Sequence, residues 1–374
     1  MEVKAGYKQT EVGIIPDDWQ VMTLSKVSRM KSGESITEAN IDQFSKYPCY
    51  GGNGLRGFTS QFTHDGEYAL IGRQGALCGN VLGVRGKFFA SEHAIVVTPF
   101  EQTDIHWLTC VLEDMNLNQY SESSAQPGLS VAKILNLTLA VPPTEPEQEA
   151  IAEALSDADA LIEALEQLIT KKHQVKQGAM QELLTGKKRL PGFTEKSVTE
   201  SLGTICEIEK GEQLNRDTLS VIDDYPVWNG GVEPSGFTGK WNTEAETLTV
   251  SEGGNSCGFV NFIHQRFWRG GHCYALNNID PGISQDYLYQ FLKCHEKDIM
   301  ALRVGSGLPN IQRGSLSGFI VWLPSLEDQS AIAEILSDMD AEIAALEAKL
   351  VKARQVKQGM MQELLTGKIR LAIK

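Results

Sequence analysis

Hydrophobic residues recur at alternating steps of four and three along two separate stretches of the chain. Such steps keep apolar side chains on one face of an α-helix and are typical of a coiled-coil seam. The seam positions are Ile151, Leu155, Ala158, Ile162, Leu165 and Ile169 in the first stretch, and Ile332, Leu336, Met339, Ile343, Leu346 and Leu350 in the second. The pattern predicts two long helices, each with a seam that needs a partner.

The two predicted helices are copies of each other. The 44 residues that begin at Glu147 are identical at 30 positions to those that begin at Asp328, which lies 181 residues further along. Both copies follow prolines and end in Leu-Leu-Thr-Gly-Lys, in which Gly186 and Gly367 fit a helix C-cap. A repeat of this length predicts a duplicated chain with pseudo-twofold symmetry.

Two arrangements would bury the predicted seams. The helices pack on each other as an antiparallel coiled coil, or each docks on the globular domain that precedes it. The first is the more economical, and a paired helix from 147 to 184, roughly 57 Å long, would act as a spacer. Gly178 and Gly359 interrupt both copies at the same place, which predicts either a kink or the close approach of another backbone.

The segments that precede the helices alternate short apolar runs with turns rich in glycine and asparagine, which is typical of strands. One amphipathic helix is expected in each, at about 104 to 117 and about 285 to 302. The two segments also repeat each other faintly, at 47–58 and 225–237, 75–81 and 254–260, and 88–93 and 267–272. The predicted fold is α+β, with globular domains at 1–146 and 191–326 and spacer helices at 147–190 and 327–374.

Charge and composition narrow the class of protein. The chain carries 34 Lys and Arg against 48 Asp and Glu, a net charge of -14, and none of the four segments is net basic. This balance argues against DNA binding, which depends on cations that neutralise phosphates. The absence of a long apolar run or a signal-like N-terminus predicts a cytoplasmic protein. Seven widely spaced cysteines predict reduced thiols, without a disulfide framework or zinc site.

Catalytic motifs are incomplete in this sequence. The Gly-Lys that ends each helix lacks the first glycine of a phosphate loop, because Gln181 occupies that place. Pro142 and Pro143 lack the Asn or Asp and the aromatic residue of a base-flipping methyltransferase loop. His93 and His272 have no neighbours at metal-ligand spacing. The sequence therefore predicts a chain without catalytic residues or a metal site.

Side chains that can contact base edges lie between the matching segments of the globular domains. The candidates are Asn53, Arg56, Arg73, Gln74 and His93 in the first domain, and Asn229, Lys240, Asn255, Arg266, Arg269 and His272 in the second. Each is also consistent with an ordinary solvated loop residue, and the two histidines with structural hydrogen bonds. The hypothesis of a base-reading surface rests on their common scaffold.

Three sequence features together carry a resemblance to a known family. They are the opening YKQTEVGIIPDDW, the helix entry PPTEPEQEAIAEAL and the twice-repeated QELLTGK. With these features, the chain resembles the specificity subunits of type I restriction-modification systems over nearly its whole length. The second helix entry departs from the pattern, with LPSLEDQ in place of PPTEPEQ.

The resemblance implies two target-recognition domains that each read half of a bipartite double-stranded DNA site, and two antiparallel helices that set the unread gap. It also implies two modification subunits that carry S-adenosylmethionine and methylate adenine, and restriction motor-nuclease subunits that use ATP and Mg²⁺. No cofactor is then expected in this chain, and the partners would supply much of the positive surface. The alternative class is a coiled-coil scaffold whose two domains bind protein.

Overall fold

The chain forms two compact units that are discontinuous along the sequence. The structure is a computed structural model that describes residues 4–75, 77–121, 128–305, 307 and 309–372. Unit 1 consists of residues 1–166 and 348–374, and unit 2 of residues 167–347. Each unit therefore contains one globular domain, the first part of the long helix that follows it, and the last part of the other long helix.

The globular part of unit 1 combines a six-stranded sheet with short helices. The sheet has the order β4-β9-β7-β8-β5-β6, and β3 pairs with β10 in a separate ladder. All pairs are antiparallel except β5 with β8. The elements are β1 (Tyr7–Thr10), β2 (Gly13–Pro16), β3 (Gln20–Thr23), α1 (Leu24–Val27), β4 (Ser28–Ser32), β5 (Tyr47–Gly51), β6 (Gly54–Thr59), β7 (His64–Gly72), β8 (Val81–Ala90), β9 (Ala94–Pro99), α2 (Ile105–Asp114), α3 (Val131–Leu135), β10 (Thr138–Val141) and α4 (Glu145–Leu183).

The globular part of unit 2 repeats this order of elements. Its four-stranded sheet runs β12-β18-β15-β16, beside a three-stranded sheet β14-β13-β17 and the pair β11-β19. The elements are β11 (Val198–Ser201), α5 (Leu202–Ile205), β12 (Glu207–Lys210), β13 (Tyr225–Trp228), β14 (Phe237–Thr238), β15 (Thr247–Ser251), β16 (Val260–Ile263), β17 (Trp268–Arg269), β18 (Cys273–Asn277), α6 (Gln285–Cys294), α7 (Glu296–Ala301), α8 (Arg313–Ser317), β19 (Ile320–Leu323) and α9 (Leu326–Leu364).

The amphipathic helix expected in unit 1 is confirmed, whereas the one expected in unit 2 is divided into two helices. In unit 1, α2 forms within the predicted range, and the Asp104 side chain caps it by accepting from the Trp107 amide at 2.7 Å. In unit 2, the single helix expected at 285 to 302 is two helices, α6 and α7, separated at His295. The Phe291 carbonyl there accepts from both the amide and the Nδ1 atom of His295. The His295 ring therefore shares the carbonyl that accepts from the amide at the end of α6.

The two long helices are confirmed, and each spans 39 residues. Within each unit, ion pairs join a residue early on one helix to a residue late on the other, so the two helix segments are antiparallel there. The pairs are Asp159 with Lys357 and Glu166 with Arg354 in unit 1, and Lys172 with Glu342 and Lys176 with Asp340 in unit 2. All twelve positions of the predicted seam are buried or partly buried, whereas Leu161, outside the seam, is 48% exposed.

The first turn of each long helix also docks on the globular domain that precedes it. Gln148 accepts at 2.9 Å from the backbone amide of Asp104, the N-cap of α2. At the equivalent place in unit 2, Gln329 accepts at 2.9 Å from the amide of Ser284, the N-cap of α6. Both arrangements that the sequence left open are therefore present, docking at the start of each helix and pairing beyond it.

The seven cysteines are free thiols, and five of them are buried. Burial raises the pKa of Cys110, Cys206 and Cys273 to about 12. These thiols stay protonated at neutral pH, and a protonated thiol is a weak nucleophile.

The helix glycines have no close neighbour on another backbone. Both long helices are continuous through Gly178 and Gly359. Among the described residues, a Cβ atom at either glycine would meet nothing within 4 Å beyond the nearby helix backbone. The interpretation of a close backbone approach is therefore wrong. By contrast, Gly186 has a φ of +69°, and a Cβ there would lie 2.7 Å from Cζ2 of Trp322.

Replacing Gly178 with alanine is expected to raise the free energy of unfolding by about 0.5–1 kcal/mol, because alanine restricts the unfolded chain and fits the helix. Gly186→Ala is the matched control and is expected to lower stability by more than about 1 kcal/mol, since it combines a left-handed backbone with a clash. Urea unfolding of both variants measures the difference. Equal shifts of the same sign would contradict this account of the two glycines.

Candidate nucleic-acid interface

In unit 1, backbone contacts hold the end of β7 beside the turn before β9. The Arg73 amide donates to the His93 carbonyl at 2.9 Å, and the Leu129 amide donates to the Arg73 carbonyl at 2.9 Å. The Cys78 thiol also donates to that carbonyl, at 3.4 Å. Three separate segments of the domain therefore fix the backbone at Arg73.

The same set of three contacts, called the backbone frame below, surrounds a different residue in unit 2. The Glu252 amide donates to the His272 carbonyl at 2.9 Å, and the Ile311 amide donates to the Glu252 carbonyl at 2.8 Å. The Cys257 thiol donates to that carbonyl at 3.0 Å. Glu252 therefore occupies in unit 2 the place that Arg73 occupies in unit 1.

Four of the predicted residues of unit 1 lie together at this frame. The Arg73 guanidinium donates through Nη1 to the Ser32 hydroxyl at 3.1 Å. The Oε1 atom of Gln74 lies 3.2 Å from Nδ1 of His93. Asn53 is exposed in the tight turn between β5 and β6. These side chains offer hydrogen-bond donors and acceptors at one edge of the sheet.

Arg56 packs beside this edge and is only partly satisfied. A Cβ atom at Gly51 would lie 2.6 Å from Cδ of Arg56, so the arginine stem lies directly against the glycine backbone. Among the described residues, the buried Nη1 atom of Arg56 and the buried hydroxyl of Ser91 have no hydrogen-bond partner. A buried donor without a partner costs free energy, and a ligand or water at this edge would recover it.

In unit 2, hydrogen bonds hold the carboxylate of Glu252 in one orientation. Glu252 is 8% exposed, and its Oε1 accepts from Lys210 Nζ at 2.5 Å. The Tyr274 hydroxyl lies 3.4 Å from the same oxygen, and its nearer acceptor is the Ile311 carbonyl at 3.1 Å. The Oε2 atom of Glu252 lies 3.1 Å from Nδ1 of His272. Burial, together with the nearby Glu252 carboxylate, raises the pKa of Tyr274, so the phenol stays protonated and donates.

A cavity of about 580 Å³ opens beside Glu252. Its polar lining includes Lys210, Asn229, Glu252, Ser256, His272 and Asn310. Asn229 and His272 meet here, since the His272 amide donates to the Asn229 side chain at 3.1 Å. Asn255 is exposed in the bordering turn. Three of the predicted residues of unit 2 are therefore close together.

The other predicted residues of unit 2 are placed differently. Arg266 lies 2.9 Å from the Glu244 carboxylate and stacks over the Trp241 ring at 4.4 Å. The Arg269 side chain is only 12% exposed and lies against Glu209. Lys240 is exposed next to Trp241. The structure brings none of these three cations to the cavity at Glu252.

Sequence reasoning missed Glu252 and its partner Lys210. Cations and amides are the side chains usually expected to contact DNA. One acidic residue among the many in a chain of net charge -14 was therefore not predicted as a contact. The signal was present, because Arg73 and Glu252 stand at the same distance before the matching segments 75–81 and 254–260.

In the part of the chain that is described, no group of three or more His, Cys, Asp or Glu side chains is arranged to hold a metal ion. Within that same part, none of the helices combines the length and the apolar character of a membrane span.

Comparison with known proteins defines the family. Residues 16–176 and 194–353 match the family described as the type I restriction modification DNA specificity domain. Because the two matches cover most of the chain, the protein belongs to this family. It is similar to the type I restriction enzyme EcoprrI specificity subunit of Escherichia coli, with 46% identity over 38% of this chain and 36% of that protein.

Two other similarities are weaker in sequence. A putative type I specificity subunit of Mycoplasma pneumoniae is 31% identical over 45% of each chain. The matched stretches thus span less than half the length of these two relatives. The crystal structure of the type I restriction-modification S subunit from M. genitalium superposes with a TM-score of 0.74 and 18% identity, over 97% of this chain and 98% of that one. The α+β fold with two paired long helices is confirmed.

Proposed function

We propose that this chain reads a double-stranded DNA target made of two separated halves, one half per unit, and positions modification and restriction subunits on it. Membership of the specificity family supports the proposal, as does the similarity to the EcoprrI specificity subunit. The chain itself carries no catalytic step. S-adenosylmethionine, ATP and Mg²⁺ serve the partner subunits, and the complex acts in the cytoplasm.

One observation carries the proposal more than any other. The two units hold the same backbone frame, yet they present Arg73 in one case and Glu252 in the other. A protein-binding scaffold built by duplication would be expected to keep equivalent contact residues for a repeated partner. A reader of two different half-sites needs a common frame with different hydrogen-bonding groups, because sequence is read by contacts to base edges.

The negative charge of the chain fits this proposal only if partners contribute phosphate contacts. Several cations of the two domains already pair with carboxylates, including Lys210 with Glu252 at the cavity and Arg266 with Glu244 outside it. Because affinity for DNA depends on the number of phosphates that cations neutralise, the modification subunits are proposed to supply most of that positive surface.

Binding measured at several salt concentrations tests the proposal. The slope of log K against log salt is expected to be shallow for the chain alone and clearly steeper with modification subunits, at about -0.9 for each added phosphate contact. Only the complex is expected to prefer one duplex sequence strongly. A complex that binds all duplexes equally would favour the alternative, a coiled-coil scaffold whose two domains bind protein.

A further inference from the structure

At one position of the shared backbone frame, Arg73 in unit 1 and Glu252 in unit 2 have opposite hydrogen-bonding character. A guanidinium group only donates hydrogen bonds, and an ionised carboxylate only accepts them. Each follows the strand at the centre of its sheet, and each backbone amide donates to the carbonyl of the equivalent histidine. A base placed at the same point against the two frames would therefore meet a donor in unit 1 and an acceptor in unit 2.

Glu252 lines the cavity, and its two carboxylate oxygens have different partners. Lys210 donates to Oε1, whereas Oε2 contacts the ring of His272. The His272 side chain is 58% exposed, so a ligand in the cavity can displace it with little loss of packing. Lys210 thus acts as a positioning residue that holds Oε1, and Oε2 is left to a ligand that displaces His272.

The frame itself does not require an ion pair at this place. Lys210 ends β12, and the residue that ends the equivalent strand β4 is Ser32. Unit 1 therefore holds the same backbone geometry with a serine and Arg73, without two opposite charges. The pair of Lys210 and Glu252 would contribute little if it served only stability, because the Lys210 side chain is 49% exposed and solvent screens the attraction.

We propose that Arg73 and Glu252 read bases at equivalent positions of the two half-sites, with Arg73 reading a guanine and Glu252 a cytosine. Arginine makes two hydrogen bonds to guanine O6 and N7, and glutamate accepts from the cytosine N4 amino group in the major groove. This inference rests on the proposed function, since it assigns the residues that read the target.

Glu252→Gln in the full complex with its modification subunits tests the assignment, because glutamine pairs with adenine N6 and N7. Genome-wide mapping of methylated adenines is expected to show one position of the second half-site change from cytosine to adenine. The relative preference should change by about tenfold or more, with the first half-site unchanged. Glu244→Gln is the matched control, since it makes the same change in the same unit beside Arg266, and it should retain the original target.

Arg73→Gln provides an independent arm in the other unit, where one guanine of the first half-site is expected to become adenine. If methylation falls uniformly in either variant with no change of target, or both variants lose all methylation together with a lower unfolding midpoint, the two residues are structural and the inference is overturned. A wild-type complex without sequence preference would instead overturn the proposed function, and this inference with it.

Discussion

Arg370→Ala is expected to lower the free energy of unfolding by about 3 kcal/mol, because it leaves a buried carboxylate without its cation. Arg370 donates from Nε and Nη2 to the two oxygens of Glu147, at 2.8 Å each. Glu147 is 2% exposed, and its Oε1 also accepts from the Trp19 indole at 3.3 Å. The remaining guanidinium nitrogen binds Asp18. The arginine thus ties the end of the chain to the start of α4.

Urea unfolding measures this loss, and hydrogen exchange locates it in unit 1. Arg85→Ala is the matched control, because Arg85 pairs with Glu67 on the surface of the same unit and its side chain is 86% exposed. An exposed pair contributes less than about 1 kcal/mol. Adding Glu147→Gln to Arg370→Ala should recover much of the loss, since it removes the buried charge. Similar effects of Arg370→Ala and Arg85→Ala would contradict the buried-pair account.

The sequence predicted the long helices well because their determinants are local. The seam spacing and the terminal glycine placed the first helix at 147 to 184, and α4 spans Glu145–Leu183. Which segments of the chain belong to each compact unit could not be predicted from a local pattern. This division depends on contacts such as Arg370 with Glu147, which lie 223 residues apart and leave no periodic signal in the chain.

The candidate interface was only partly predictable for a related reason. The turns and their asparagines are visible in sequence, so Asn53 and Asn229 were expected in turns, and the structure places them just after β5 and β13. The sequence does not show which cations reach this edge of the sheet, because that depends on ion pairs formed in three dimensions. Arg269, for example, pairs with Glu209 and does not line the cavity. The role inferred for Glu252 appears only when the backbone frames of the two units are compared, because its chemistry is opposite to that of Arg73.

Lengthening both long helices by four residues is expected to widen the unread gap of the DNA target without changing either half-site. Both helices continue from one unit into the other, α4 after Glu166 and α9 after Glu347. Repeating Leu-Ile-Glu-Ala after Ala164 and Glu-Ile-Ala-Ala after Ala345 adds about 6 Å of rise and a rotation of roughly 40°. At about 3.4 Å per base pair, the gap should grow by one to two base pairs.

The insertion must be made in both helices for the pairing to survive. A four-residue insertion is a stutter that a coiled coil absorbs by local unwinding. Insertion in α4 alone would lengthen the stretch between Asp159 and Lys172 but leave the stretch between their partners Glu342 and Lys357 unchanged, whereas the double insertion lengthens both stretches equally. The single insertion is therefore the control and should reduce methylation severely. Maps of methylated adenines for both variants decide the matter. A doubly lengthened chain that remains active on the original gap would show that helix length does not set the spacing.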